Sequence, residues 1–382
     1  MLLLKKIRQL SHEVDERFQE WCIGSQDFVI QVPVPGAHPR SEHLESYPVR
    51  LGDFQASCLQ YGASVDSFPL FIVASSVAHC PFVVGAIQQG SGTSLVLESS
   101  EAGVKTIDFA GDLITSLRSQ LSDTQMDPLI VVGGGLLLNV GAFVAERLAK
   151  RLVLFPTTVL SMADGSGGKV RLNKIAFGRA YKHYYKSFYE PDEIIIDSRF
   201  LDSLPRLQVR IGLVEIIKHG LFQSACLYDF LTAAGKELFH EKSALLKAIL
   251  WAADLKRICL SVDAEENDNG SRSILRAGHD FSDRLEEDLR LSIPHGFAVA
   301  IGIVRALEAE NRFADAARAV ELFRLFEIPT TIEEWSIYEA SCRLRTFLLA
   351  GEENCATFER LRDVMLFTGG VRVTSEKAEV TT

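Results

Sequence analysis

Four short runs concentrate the residue types that do chemistry. VVGGGLLLNVGAF (131–143) sets Gly133, Gly134 and Gly135 between an apolar run and a helix-like stretch. Glycine lets a phosphate approach the backbone, and a helix N-terminus supplies oriented N–H donors. The run is not a GxGxxG, and a plain strand-to-helix turn would read the same. PTTVLSMADGSGGKVRLN (156–173) ends a strand at Thr157 and Thr158, and the Ser/Gly-rich loop expected after it holds Asp164 and Lys169. A lysine beside glycines holds phosphate as a point charge, although an ordinary surface loop has the same texture. VRIGLVEIIKHG (209–220) puts Glu215 and Lys218 three apart on one face of a helix. A carboxylate on so apolar a helix is costly to bury unless paired or metal-bound, and the plain alternative is a solvent-facing ion pair. GSRSILRAGHDFSDRLEEDLRLSIPHG (270–296) gathers Arg272, His279, Asp283 and His295. The two histidines are spaced to meet across a helical hairpin. With a glutamate from another helix they would form a three-ligand divalent site with open positions, as catalytic zinc uses. Two unrelated histidines, one capping a helix after Pro294, would leave the same trace.

The elements that must position these residues follow from hydrophobic patterning. PLFIVASSV (69–77), PLIVVGGG (128–135), RLVLFPTT (151–158) and EIIIDSRF (193–200) read as buried strands. Residues 98–121 and 139–151 read as helices between them, which predicts a parallel sheet covered on both faces. Residues 25–50, with Pro33, Pro35, Pro39 and Pro48, read as an irregular or edge-strand segment. Beyond Leu204-Pro205 the spacing is helical with few strand candidates. The expected division is an N-terminal extension over 1–50, an α/β domain over 51–203 and a helical domain over 204–382.

Composition bounds the rest. The 382 residues are 47% hydrophobic and 24% charged, ordinary for a globular protein and incompatible with a disordered or collagen-like chain. Forty basic against fifty acidic residues leave a net charge of −10, which disfavours a nucleic-acid partner or an anionic membrane surface. No run reaches the roughly 18 apolar residues of a membrane helix. The start, MLLLKKIRQLSHEVDERFQEW, predicts an amphipathic helix rather than a secretory signal. Seven scattered cysteines with no CxxC predict reduced thiols and a cytoplasmic protein.

The four runs occur together and in order, and in that combination the chain resembles the sugar phosphate cyclases, the superfamily of 3-dehydroquinate synthase. The matching stretches are GGG (133–135), PTT with Asp164 and GGK (167–169), VRIGLVEIIKHG, RSILRAGH (272–279) and HGFAVAIG (295–302), within roughly residues 65 to 305. The resemblance implies an α/β N-terminal NAD-binding domain plus a mainly α-helical C-terminal metal-binding domain, with the active site between them, in a homodimer. It implies Glu215, His279 and His295 as ligands of a divalent zinc or cobalt ion. Lys169, Lys218, Arg272 and Lys256 match cations at a small phosphorylated sugar, Lys182 less closely, and Asp164 matches an acid near the nicotinamide. Contacts to NAD are expected from Gly133, Gly134, Gly135, Asn139, Thr157, Thr158, Asp164, Glu101 and Lys105. The implied reaction oxidises a secondary alcohol with NAD, eliminates phosphate, reduces the ketone again and closes a ring by aldol addition.

Several positions depart from the family pattern. A second histidine expected four residues after GH is Asp283. The FS-x-x-LE pattern there resembles the branches that use sedoheptulose 7-phosphate, the 2-epi-5-epi-valiolone and desmethyl-4-deoxygadusol synthases. The acid after HG is Phe297, the acid after the glycine triplet is Asn139, and the asparagine two before GH is Arg276, whose charge is expected to be unfavourable near a metal. Ala74 and Ser76 stand where Asp and Asn would face the adenosine. These readings leave open a specialised cyclase forming a cyclitol, a 3-dehydroquinate synthase of the shikimate pathway, a homologue without catalysis, and an alcohol-oxidising enzyme on the same scaffold.

Overall fold

The structure is a computed structural model that describes residues 2–21, 28–61, 68–89, 93–98, 101–122, 126–263 and 269–349. They fall into two compact units, 1–328 and 329–382. In the first unit a seven-stranded sheet runs in the order β1-β2-β9-β6-β5-β3-β4. Its strands are β1 (Val29–Pro33), β2 (Ser46–Leu51), β3 (Leu70–Ala74), β4 (Thr93–Leu97), β5 (Leu129–Gly133), β6 (Leu152–Pro156) and β9 (Glu193–Ile196). Only β1 is antiparallel to its neighbour; the rest are parallel. Every residue of β3, β5 and β6 is buried, which is why these strands read as continuous apolar runs without alternation. The proline-rich early segment supplies the edge pair β1 and β2, with Pro48 in β2 and Pro33 ending β1.

Helices α2 (Phe54–Gln60), α3 (Pro81–Gln89), α4 (Glu101–Val104), α5 (Ile107–Gln120), α6 (Gly135–Leu148) and α7 (Val159–Asp164) connect the strands. Three local expectations are corrected. The single helix expected over 98–121 is broken, because Thr106 leaves the helical region and its side chain caps α5 at Phe109 N. The helix expected from 139 begins at Gly135. The loop expected to carry Asp164 and Lys169 is ordered: Thr158 and Ser161 form a capping box that starts α7, and Asp164 is its last residue. Lys169 opens a hairpin, β7 (Lys169–Ala176) and β8 (Arg179–Phe188), which the sequence pattern did not reveal.

From Arg206 on, the described residues of the first unit are helical apart from connecting turns. Its helices are α8 (Arg206–Phe222), α9 (Ala225–Ala234), α10 (Lys242–Val262), α11 (Asn269–Leu275), α12 (His279–Asp288), α13 (His295–Ala309) and α14 (Phe313–Leu325). The helix expected at the start, α1 (Leu2–Glu20), packs along α10. There Phe18 stacks on Trp251 at 5.4 Å, and the Trp251 indole donates to Asp15 at 2.9 Å. The second unit contains α15 (Ile332–Leu349), entered through Thr330, whose backbone N–H and hydroxyl donate to Glu334. No described helix is long and apolar enough to cross a membrane. Among the described residues Cys58, Cys80, Cys226 and Cys259 form no disulfide; Cys22, Cys355 and the side chain of Cys342 lie outside them.

Candidate active site

One cleft of about 860 Å³ runs past the carboxyl ends of the central strands to the starts of α12 and α13. Strand order reverses between β3 and β5, since β4 lies on one side and β6 and β9 on the other. Such a switch point leaves a crevice where open α/β sheets bind nucleotides. Ser76, Gly134, Gly135, Thr157 and Thr158 line the cleft there. Gly134 caps α6 without a side-chain hydrogen bond, and a Cβ on Gly135 would meet nothing within 4 Å. Open backbone N–H groups at a helix start fit a pyrophosphate, so this end suits a dinucleotide.

The other contacts expected for NAD separate. Gly133 does not line the cleft; a Cβ there would lie 2.9 Å from Leu137, so its role is close packing of strand and helix. Ala74 is a buried strand residue, away from the lining. Lys105 lines the cleft, and the side chain of Glu101 lies outside the described residues. Asn139 also lines it, but both ends of its amide are used within the protein. Its Nδ2 donates to Gly135 O at 2.8 Å, and its Oδ1 accepts from Arg171 N at 2.8 Å. A carboxylate could not donate to that carbonyl, which gives the asparagine a structural reason.

At the opposite end three elements converge. Glu215 is on α8, and His279 and His295 are the first residues of α12 and α13. One ligand atom from each lies within 4.8 Å of the others, and the two imidazole rings are 5.5 Å apart. Glycines permit this approach. A Cβ on Gly296 would lie 2.2 Å from Ile211 O of α8. Gly278, at φ 77°, faces Ile303 N at 2.5 Å from its would-be Cβ. The pair expected to face solvent is buried instead: Glu215 and Lys218 are each 1% exposed and in contact, and Lys218 Nζ donates to Leu275 O at 2.7 Å. Apart from the Lys218 ammonium, no described group donates to either Glu215 oxygen. A buried carboxylate in that state, facing two imidazoles, is the donor set of a catalytic divalent ion and fits one. Burial, reinforced by Lys218, His295 and Arg276, pushes the His279 imidazole well below its ordinary value, leaving it neutral as a ligand must be.

Between the two ends the lining is cationic. Lys105, Lys169, Arg171, Lys186, Lys256, Arg272 and Arg276 line the cleft, with Asp164 the one carboxylate among the described lining residues. The net −10 of the whole chain therefore coexists with an interior built for an anion. Lys256, 3% exposed, bonds Asp164 through both its Oδ1 at 2.9 Å and its carbonyl at 2.5 Å. Burial raises the Asp164 pKa, but Lys256, then Lys218 and Lys169, outweigh it and hold the carboxyl at about 2. Lys218 and Glu215 lie behind the lining.

Two departures from the family pattern pair with each other. Arg276 Nη2 lies 3.1 Å from Asp280 and 3.5 Å from Asp283, so the charge expected to be unfavourable near a metal is offset. Asp283 does not line the cleft and also meets Lys182 Nζ at 3.2 Å. Phe297 is fully buried in α13, with Arg210 over its ring at 5.6 Å.

Residues the sequence did not single out complete the site. His183, on β8 at φ 52°, lines the cleft, and burial, then Lys105 and Lys182, push its imidazole well below its ordinary value. Glu286 on α12 is 0% exposed and accepts from His295 Nδ1 at 2.8 Å. Burial raises its pKa, but His295 and Lys182 outweigh this and hold it at about 2. Its signal was legible in principle: Glu286 is seven residues after His279, on the same helix face.

Comparison with known proteins shows the family and the fold. The 3-dehydroquinate synthase N-terminal family model matches residues 94–211 and the C-terminal one residues 212–345. The 3-dehydroquinate synthase of Sulfolobus acidocaldarius is 34% identical over 273 residues, covering 69% of this chain and 75% of that protein. That of Chlamydia abortus is 32% identical over 314 residues, covering 77% and 79%. Other relatives of the same name are matched over as little as 52% of their length. Among solved structures, 2-epi-5-epi-valiolone synthase from Streptomyces hygroscopicus subsp. jinggangensis, with NAD+ and Zn2+ bound, superposes with a TM-score of 0.65 at 22% identity, covering 75% of this chain and 82% of that one. A 2-deoxy-scyllo-inosose synthase complexed with carbaglucose-6-phosphate, NAD+ and Co2+ gives 0.62 at 21%, covering 80% and 83%. With both family models matched in order and relatives above 30% identity over 69% and 77% of the chain, the protein belongs to the 3-dehydroquinate synthase family, within the sugar phosphate cyclase superfamily.

Proposed function

We propose that this chain is an NAD- and divalent-metal-dependent cyclase that eliminates phosphate from a seven-carbon sugar phosphate and closes its carbon ring. The observation that carries the reading is a cationic cleft with an open glycine turn at one end and the Glu215–His279–His295 cluster at the other. A bound Zn²⁺ or Co²⁺ would supply Lewis acidity at a substrate hydroxyl, and NAD would supply a reversible hydride acceptor. The chain's own residues then have distinct tasks. Glu215, His279 and His295 hold the ion, and the Gly134–Gly135 turn, with Thr157 and Thr158 beside it, seats the dinucleotide. Lys169 and Arg272 meet the phosphate and stabilise its charge as it departs. Lys256 holds Asp164 ionised, so that carboxylate accepts hydrogen bonds throughout the neutral range.

The sequence signature at Asp283 pointed to sedoheptulose 7-phosphate. A second reading, 3-deoxy-arabino-heptulosonate 7-phosphate and the 3-dehydroquinate synthase reaction, is favoured by a specific observation. Asp283 pairs with Arg276 and Lys182 outside the cleft lining, so local charge pairing accounts for it without a substrate. The relatives quoted also carry the 3-dehydroquinate synthase name. The test is incubation with each sugar phosphate, NAD and Zn²⁺ or Co²⁺, reading inorganic phosphate and NADH together. The proposal expects phosphate release from one of the two without lasting NADH. Release from neither sinks it, and alcohol-dependent NADH without phosphate would make the chain an oxidoreductase instead.

A further inference from the structure

The two histidines of the cluster are oriented by unlike acceptors. His279 Nδ1 is 3.3 Å from the carbonyl of Ala277, a neutral and distant partner in its own turn. His295 Nδ1 is 2.8 Å from the Glu286 carboxylate. A proton on Nδ1 leaves Nε2 as the nitrogen able to coordinate, and an acceptor on the far nitrogen fixes both the tautomer and the basicity of a ligand imidazole. A backbone carbonyl does this weakly, and a buried carboxylate does it strongly.

Glu286 is itself held. The same Oε1 that receives His295 receives Lys182 Nζ at 2.6 Å, and the Lys182 side chain is only 3% exposed. The Lys182 backbone N–H donates to the neighbouring Glu287 at 2.8 Å. Strand β8 and helix α12 are thus joined at two successive acidic residues, one buried and one beside it. In a run reading LEED, the usual expectation is a solvated acidic face; here the middle of the run is buried and spent on an imidazole and an ammonium. A buried carboxylate that is paired twice at one oxygen has a fixed direction, which an unpaired one would lack.

We infer that Glu286 is a positioning residue for His295, clamped from β8 by Lys182, and that this pair sets how tightly the site holds a divalent ion. The inference rests on the reading that Glu215, His279 and His295 hold such an ion. It makes the hairpin β7–β8, which also carries Lys169 and His183 into the cleft, part of the support of the metal site. An element of the α/β region and an element of the helical region are thereby tied beside the metal-site end of the cleft.

The experiment is chelator competition on the full chain with Zn²⁺, with Co²⁺ absorption as a second readout, for the unaltered protein, Glu286→Gln, Glu286→Ala and Lys182→Met. Loss of such an outer partner characteristically weakens metal binding about 10–100-fold. Glu286→Ala is expected in that range, with Glu286→Gln and Lys182→Met smaller but in the same direction. The Co²⁺ band of Glu286→Gln is expected to shift while the melting temperature of its metal-free form stays near that of the unaltered chain. If Glu286→Ala does not fold, the other two variants carry the test. Unaltered Zn²⁺ affinity and an unchanged Co²⁺ spectrum in both Glu286→Gln and Lys182→Met would overturn the inference alone. Absence of metal binding in the unaltered protein would instead overturn the metal reading on which it rests.

Discussion

The two ends of the cleft treat their polar groups in opposite ways. At the glycine turn, side chains face inward and are spent: Asn139 bonds Gly135 and Arg171, and the Thr158 hydroxyl caps α7. What remains there for a ligand is mostly backbone. At the helical end, Glu215 sits buried against the Lys218 ammonium with no other described donor on its oxygens, facing the two histidines. The nucleotide end can therefore change its side chains while keeping its shape, whereas the three ligand side chains of the metal end have little to exchange. Departures from the family pattern stand at both ends, Ala74, Ser76 and Asn139 at the first and Arg276, Asp283 and Phe297 around the second, while the three ligand positions Glu215, His279 and His295 match it.

This contrast is open to experiment, starting with the largest effect. Glu215→Ala leaves Lys218 as an uncompensated buried charge and should cost the metal-free protein about 3–5 kcal/mol, measured by denaturant unfolding. A cost under about 1 kcal/mol would mean that the pair is hydrated. Lys256→Met should slow phosphate release about a hundredfold through loss of a preorganised cation. The same variant has a pH signature. Asp164 is depressed to about 2, so its contribution to stability is complete above its unfolded pKa, near 4, and is lost as pH falls towards 2. Lys256→Met should shrink the fall in stability between about pH 4 and 2 in an acid-unfolding series.

Smaller effects probe the nucleotide end. Asn139→Asp, which restores the family's acid, replaces a donor facing Gly135 O with an acceptor. It should destabilise by about 1 kcal/mol without tightening NAD binding, as read by melting and calorimetry together. Tighter NAD binding in that variant would show that Asn139 is an eroded ligand contact rather than a structural one. Smallest is the Arg276–Asp283 pair. A double-mutant cycle with Arg276→Asn and Asp283→His should give a coupling of about 0.5–1 kcal/mol, and no coupling would remove the explanation of their joint change.

The chemistry of the site was more legible in the sequence than its supports. Glycine triplet, Glu215 and both histidines stand in runs whose residue types are unusual for their surroundings, and continuous apolar strands announced the parallel sheet. The hairpin carrying Lys182 and His183 was not legible, because its strands are half-exposed and their register shifts between Leu172 and Lys174. Asp164 was expected in a loop because its run is rich in Ser and Gly, while the Thr158–Ser161 capping box made a helix of it. Glu286 was hidden in an acidic run that looks solvated, since packing of α12 on both α13 and β8 buries it.

The central claim is that Glu215, His279 and His295 hold one divalent ion per chain. It is tested most directly by elemental analysis of the purified protein after equilibration with Zn²⁺ and removal of free metal, beside the His279→Ala variant. The account predicts one ion per chain in the unaltered protein and none retained by the variant. Full retention by His279→Ala, or none by the unaltered protein, would contradict it.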